Sequence, residues 1–247
     1  MDLDESIPPT IQNPASPFST LKDLPTLRTS LGRLHDTFAS KGPETAVLIG
    51  GDCPISLPAV TYFASVARER GGKLGVIWLD AHADINTPRT SLSGNLHGMV
   101  TGFLLGLAGT ANTFPFQTSS PTIDPRDIIY LATRALDDKE KTTISDIEVS
   151  VIRTDKLPAI DEIKRTLDHT AEIYLHFDLD SLDPSQCAGG QNFEVAGGTN
   201  RTVVMELIRE LKRWKRRVSV AVVEGDGNVG DPKIVRGIDD ILSEILL

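Results

Sequence analysis

Carboxylates and imidazoles recur in this chain at spacings that would gather ligands for cations. Asp80, His82 and Asp84 alternate directly after the apolar run Leu74 to Leu79, and alternation past a strand end puts residues i, i+2 and i+4 on one face. Asp178 and Asp180 repeat the pattern after Ile173 to Phe177, with Asp183 and Pro184 closing that segment as a turn. Oxygen and imidazole donors suit hard or borderline divalent cations, whereas acids crowded together without a cation repel one another or need partners. Two strand ends thus carry five candidate ligands. That is more than one tetrahedral ion needs and suits a pair of cations bridged by shared carboxylates, the arrangement that activates a water held between two ions.

The elements that must position these groups alternate along the chain. Apolar runs predict strands at Ala46 to Gly50, Leu74 to Leu79, Asp127 to Thr133, Glu148 to Ile152, Ile173 to Phe177 and Val218 to Val223. Helical spacing predicts helices over Leu21 to Phe38, Leu57 to Arg70, Leu96 to Leu107, Asp161 to Thr170 and Val203 to Trp214, with a closing helix capped by Asp231 and Pro232 and running to Leu247. This alternation gives an α/β fold, a three-layer α/β/α arrangement around a mostly parallel sheet. In such sheets ligands bind at the carboxyl ends of the strands. Cys53, Asp80, Asp178 and Glu224 all fall there, on four different strands.

The chain has 247 residues, 40% of them apolar and 24% charged, with a formal net charge of −9. That is an ordinary composition for one large globular domain. Residues 1 to 25 are proline-bearing and show no apolar period, which predicts an extended or partly disordered arm ahead of a single domain over 26 to 247. The acidic balance argues against a nucleic-acid partner. No apolar run is long enough to span a membrane, and the first residues lack a basic, then apolar, export signal. With only Cys53 and Cys187, no disulfide framework is expected and a reducing, cytoplasmic setting is the default.

The run from Asp80 through Asn86, then Ser93-Gly-Asn95-Leu-His97-Gly-Met99, then Phe177-Asp-Leu-Asp180-Ser-Leu-Asp183-Pro184, then a strand ending at Glu224, resembles the ureohydrolase superfamily and within it the arginases. The resemblance covers about Thr45 to Leu247. It implies a manganese-dependent hydrolase with two Mn2+ ions that releases urea from a small guanidino compound, most simply L-arginine, and a homo-oligomer, trimer or hexamer. Residue by residue it implies that Asp80 and Asp178 bridge both ions, that Asp84 completes one, and that His82 with Asp180 completes the other. His97 matches the histidine that passes a proton to the leaving amine, and a histidine titrates in the right range to do so. Glu224 matches the acid that grips the guanidinium, for which a carboxylate is the planar, bidentate partner. Asn86, Ser93 and Asn95 fall in the substrate-binding segment, the first two at positions that hold an α-carboxylate, and Asp137 falls where an acid meets an α-amino group.

Cys53 departs from the family pattern, which usually has Gly-Gly-Asp-His at this turn, the histidine ligating the first metal. Three outcomes stay open: the thiolate ligates, with a preference for a softer ion; it stands too far off and the first metal is weakly held; or the position is vacant and the protein inactive. The family's opening strand and glycine-bearing loop also have little room ahead of the first helix. Beside an arginase the alternatives are therefore a related hydrolase of agmatine, guanidinobutyrate or a formimino compound, and a non-catalytic paralogue. His35, His169 and His176 are expected to be structural.

Overall fold

The computed structural model describes residues 21–108, 113–117, 120–152, 160–185, 195–214, 216–225 and 243–244. The arm expected before residue 25 therefore lies almost wholly outside the described residues, as does nearly all of the closing helix from Asp231.

Among the described residues, six parallel strands form one sheet in the order β1-β6-β5-β2-β3-β4. They are β1 (Val47–Ile49), β2 (Leu74–Leu79), β3 (Ile128–Leu131), β4 (Ser150–Ile152), β5 (Glu172–Asp178) and β6 (Arg217–Val223). Every residue of β2, β3 and β5 is buried, as expected of strands covered on both faces. Alternation along β2 sends Leu74, Val76 and Trp78 into one core, with Tyr130 and Tyr174 from the neighbouring strands, and Ile77 and Leu79 into the other. Helices α1 (Leu24–Lys41), α2 (Ser56–Glu69) and α3 (Val100–Leu104) cover the first face. On the second lie α5 (Ile160–Thr166) and α6 (Arg201–Arg213), the latter through Val204, Leu207, Ile208 and Leu211. The three-layer expectation is met.

From β2 the chain moves outward to β3 and β4, then returns to β5 and moves the other way to β6. The strand order thus reverses between β2 and β5, and a crevice opens at the carboxyl ends of such a pair. Leu79 pairs with Phe177 in parallel register, so Asp80 and Asp178 leave the sheet side by side.

Two expectations need correction. The helix expected over Leu96 to Leu107 is a 3-10 turn, His97–Met99, followed by the short α3; Gly106 at φ 73° turns the chain out of the helix. A helix not anticipated, α4 (Asp138–Asp146), stands after β3. It has no apolar stripe, and its start is set by a capping box in which Asp137 accepts from the backbone of Glu140 while the Glu140 side chain accepts from the backbone N–H of Asp137.

Gly102 in α3 holds the metal-donor segment against the helix. Its N–H and that of Thr101 donate to the carbonyl of Asp84, and a Cβ at Gly102 would lie 2.2 Å from the Asn86 carbonyl oxygen. Because the obstruction is backbone, Gly102→Ala should destabilise the fold by about 1–3 kcal/mol. A urea unfolding midpoint equal to that of the natural protein would show that this loop yields more easily than its packing indicates.

Candidate metal centre and substrate cleft

Past Leu79 the backbone stops alternating. The strand ends at Leu79, Asp84 has φ 51° in the left-handed region that Asp enters more readily than most residues, and His82 and Asp84 fall in different donor groups. The shared face expected for Asp80, His82 and Asp84 is therefore not formed. Instead there are two sets of donors that meet at Asp80. One is Asp80, His82 and Asp180; the other is Cys53, Asp80, Asp84 and His176; within each, one ligating atom per residue lies within 4.8 Å of the rest.

In the first set His82 Nδ1 stands 3.0 Å from Asp180 Oδ2 and 3.5 Å from Asp80 Oδ1. Partial burial works against its charge, but Asp180 and Asp80 outweigh it and push the imidazolium up to about 11. Backbone N–H groups fix the acids: His82 N–H donates to Asp80 Oδ1, Ala81 N–H to Asp180 Oδ1 and Asp180 N–H to Asp178 Oδ1. In the second set the Cys53 thiol donates to Asp178 Oδ2 at 3.4 Å. Cys53 arrives from β1 through Gly50 and Gly51, both at positive φ, and sits in the 3-10 turn Cys53–Ile55 that leads into α2. Asp178, the last residue of β5, joins neither set but borders the second through this contact.

The chemistry of these donors fits divalent cations. Burial first, then the neighbouring acids, pushes the carboxyls of Asp84 and Asp178 well above their usual range. Burial and Asp80 push Asp180 up as well. The Cys53 thiol is likewise pushed up by burial and by Asp84. Asp84 Oδ2 is buried with no hydrogen-bond partner among the described residues. Acids this close cannot all ionise by themselves, and a bound cation reverses that penalty.

Beside the donors, His97 and Glu224 form a second pair. His97 Nδ1 lies 3.6 Å from Asp52 Oδ1 and 4.0 Å from Glu224 Oε1. Its proton is held more tightly than usual mainly by Glu224, whose own carboxyl is lowered mainly by His97. Glu224 directly follows β6 at φ 57°, and its N–H donates to the Gly51 carbonyl, so the turn carrying Cys53 and the end of β6 are tied together. Asn95 Nδ2 stands 3.4 Å from His97 Nε2. Asn86 Nδ2 donates to Asp137 Oδ2 at 2.8 Å, and the buried Asn86 Oδ1 has no partner among the described residues. The Ser93 side chain is engaged locally, accepting from the Asn95 N–H in an exposed turn.

Sequence reasoning missed two supporting residues. Glu140 accepts from the N–H groups of Asp137 and Ile85, joining the cap of α4 to the donor loop; the spacing Asp137 to Glu140 was the available signal. Arg134 donates to the carbonyls of Asp180 and Leu182 on one segment and of Val195 and Ala196 on another. Nothing in the sequence around Arg134 announces that clamp.

A three-layer α/β sheet with candidate cation donors at its switch point has its ligand site where such sheets place one, at the carboxyl ends of β2 and β5. The chain belongs to the arginase family, whose profile matches residues 16–231. It is 39% identical to the arginase of Glaciozyma antarctica over 202 residues, 78% of this chain and 57% of that protein. With human arginase-1 it shares 34% identity over 186 residues, 69% of this chain and 55% of the other. The chain thus spans less than three fifths of the length of these relatives. Among solved structures, the arginase of Bacillus subtilis superposes with a TM-score of 0.82 at 26% identity, covering 92% of this chain and 80% of that one.

The Arg134 clamp carries a test. Replacing it by an apolar chain of similar length leaves several carbonyls unpartnered, each worth about 1–3 kcal/mol where buried. Arg134→Met should lower the melting temperature and loosen binding of a divalent cation at the set containing Asp180. Calorimetric titration with manganese checks this, and an unchanged titration would place Arg134 outside the support of the centre.

Proposed function

We propose that the protein is a binuclear metal-dependent ureohydrolase that hydrolyses L-arginine to L-ornithine and urea. The observation that carries the reading is the position of Asp80 in two donor sets, so that Asp80 would help to hold each of two cations, with Asp178 beside it. Asp84 and Cys53 belong to the first position, which Asp178 borders through its contact with Cys53, and His82 and Asp180 belong to the second. The oxygen-rich second position suits manganese, the metal that the family resemblance implies. Bound cations supply Lewis acidity, lowering the pKa of water toward neutrality so that a poor electrophile such as a guanidinium carbon can be attacked.

The chain's own residues account for the remaining work. Glu224, at the rim and paired with His97, offers a carboxylate to the guanidinium. His97, whose proton is held by Glu224 and Asp52, stands ready to deliver it to the amine as the carbon–nitrogen bond breaks. At the other end of the cleft, Asp137 and the oxygen of Asn86 make an acceptor-rich corner suited to an α-ammonium group, and the Ser93 hydroxyl is the donor left for an α-carboxylate. The reading includes a homo-oligomer, as the resemblance implies, and the cytoplasmic setting that two cysteines suggest.

Two outcomes are expected. Asp178→Asn keeps the side chain's shape and removes a full charge beside both positions; it should lower urea release at least about 100-fold while leaving the far-ultraviolet circular dichroism unchanged. Wild-type turnover and metal content in that variant would defeat the binuclear assignment. L-Arginine should have the higher kcat/KM when compared with agmatine, which lacks the carboxylate. Agmatine turned over equally well or better would move the assignment to a different guanidino hydrolase.

A further inference from the structure

His176 was expected to be structural, yet it stands among the donors of the first cation position. The register explains how a residue inside a strand arrives there. Trp78 of β2 and His176 of β5 are direct partners, their rings stacked 3.5 Å apart and 3° from parallel, one step along the same face before Asp80 and Asp178. The ring is wholly buried. Its Nδ1 lies 2.8 Å from Ser56 Oγ, which also accepts from the Tyr174 hydroxyl at 2.9 Å. Its Nε2 has no hydrogen-bond partner among the described residues, with Asp80 Oδ2 at 3.7 Å.

An imidazole anchored through one ring nitrogen by a hydrogen-bonded group, with the other directed at acids, is how metal-ligating histidines are held. Two sealed atoms, His176 Nε2 and Asp84 Oδ2, have no partner among the described residues, and each carries a desolvation penalty that nothing there offsets. A single cation between them satisfies both.

We propose that His176 is a ligand of the first cation position, and that with Cys53, Asp80 and Asp84 it forms a nitrogen, sulfur and oxygen set that selects a borderline cation such as zinc(II) over manganese(II). Zinc bonds of about 2.0–2.3 Å place tetrahedral donors about 3.3–3.8 Å apart, and the 3.7 Å between His176 Nε2 and Asp80 Oδ2 falls in that range. Thiolate and imidazole favour zinc, whereas manganese favours oxygen. The set of Asp80, His82 and Asp180, which makes the other cation position, contains no sulfur. The chain therefore offers two unlike positions, and a histidine from within β5 stands in for the one that the family usually has at the turn now occupied by Cys53. This inference rests on the two-cation reading given above.

The full chain, stripped with a chelator and given one equivalent of zinc(II), tests it by X-ray absorption at the zinc edge. One sulfur at about 2.3 Å and an imidazole at about 2.0–2.1 Å are expected in the same shell. Cobalt(II) in place of zinc should give a thiolate-to-cobalt charge-transfer band that Cys53→Ser abolishes. His176→Phe, which keeps the stack on Trp78, should weaken the binding of the first zinc equivalent about 10- to 100-fold. A sulfur-free zinc shell, or zinc binding by a folded His176→Phe variant as tight as wild type, overturns the proposal; if that variant does not fold, the wild-type spectrum decides. Two manganese ions held without sulfur would sink this inference alone. No divalent cation bound at all would sink the proposed function with it.

Discussion

The register between β2 and β5 is the constraint on which the centre depends. Leu79 opposite Phe177 makes Asp80 and Asp178 neighbours at the point where the sheet's connections diverge, and puts Trp78 against His176 one step below. A shift of one residue in either strand would turn every side chain of that strand to the other face, sending the acids, Trp78 and Tyr174 toward α5 and α6, and Ile77, Leu79 and Phe177 toward α2. The full burial of both strands opposes such a slip. Charge crowding that would be intolerable in a freely adjusting loop is therefore held in place by hydrophobic packing several residues away.

The loops around this fixed pair are arranged to serve it, at some local cost. Asp84 and Glu224 both adopt left-handed backbone conformations, which non-glycine residues hold only where their surroundings insist. At Asp84 the insistence comes from Thr101 and Gly102, whose N–H groups take its carbonyl. At Glu224 it comes from the Gly51 carbonyl. In each case the hydrogen bond that enforces the conformation also ties the residue to another element of the site.

Much of this was legible in sequence because burial and alternation leave simple marks. The apolar runs ending in Asp80 and Asp178 mark both the strands and the acids at their ends, and the six strands fall where those runs predict. What escaped were features set by long-range geometry. The Asn86–Asp137 bond joins residues 51 positions apart, and Arg134 reaches loops far along the chain. The position of His176 depends on which residue of β2 it faces, a fact that neither strand carries by itself. Helix α4 escaped for a different reason: Asp-Lys-Glu-Lys-Thr-Thr-Ile-Ser-Asp has no apolar period, so only its capping pair marks it.

The indole of Trp78 touches the centre on two sides. It stacks on His176 and its Nε1–H donates to Asp80 Oδ2 at 3.1 Å. The chain has one other tryptophan, Trp214, which sits beyond the end of α6 under the guanidinium of Arg216. The protein thus carries an optical reporter among its candidate cation donors: charge arriving beside the Trp78 indole would change the field on that fluorophore.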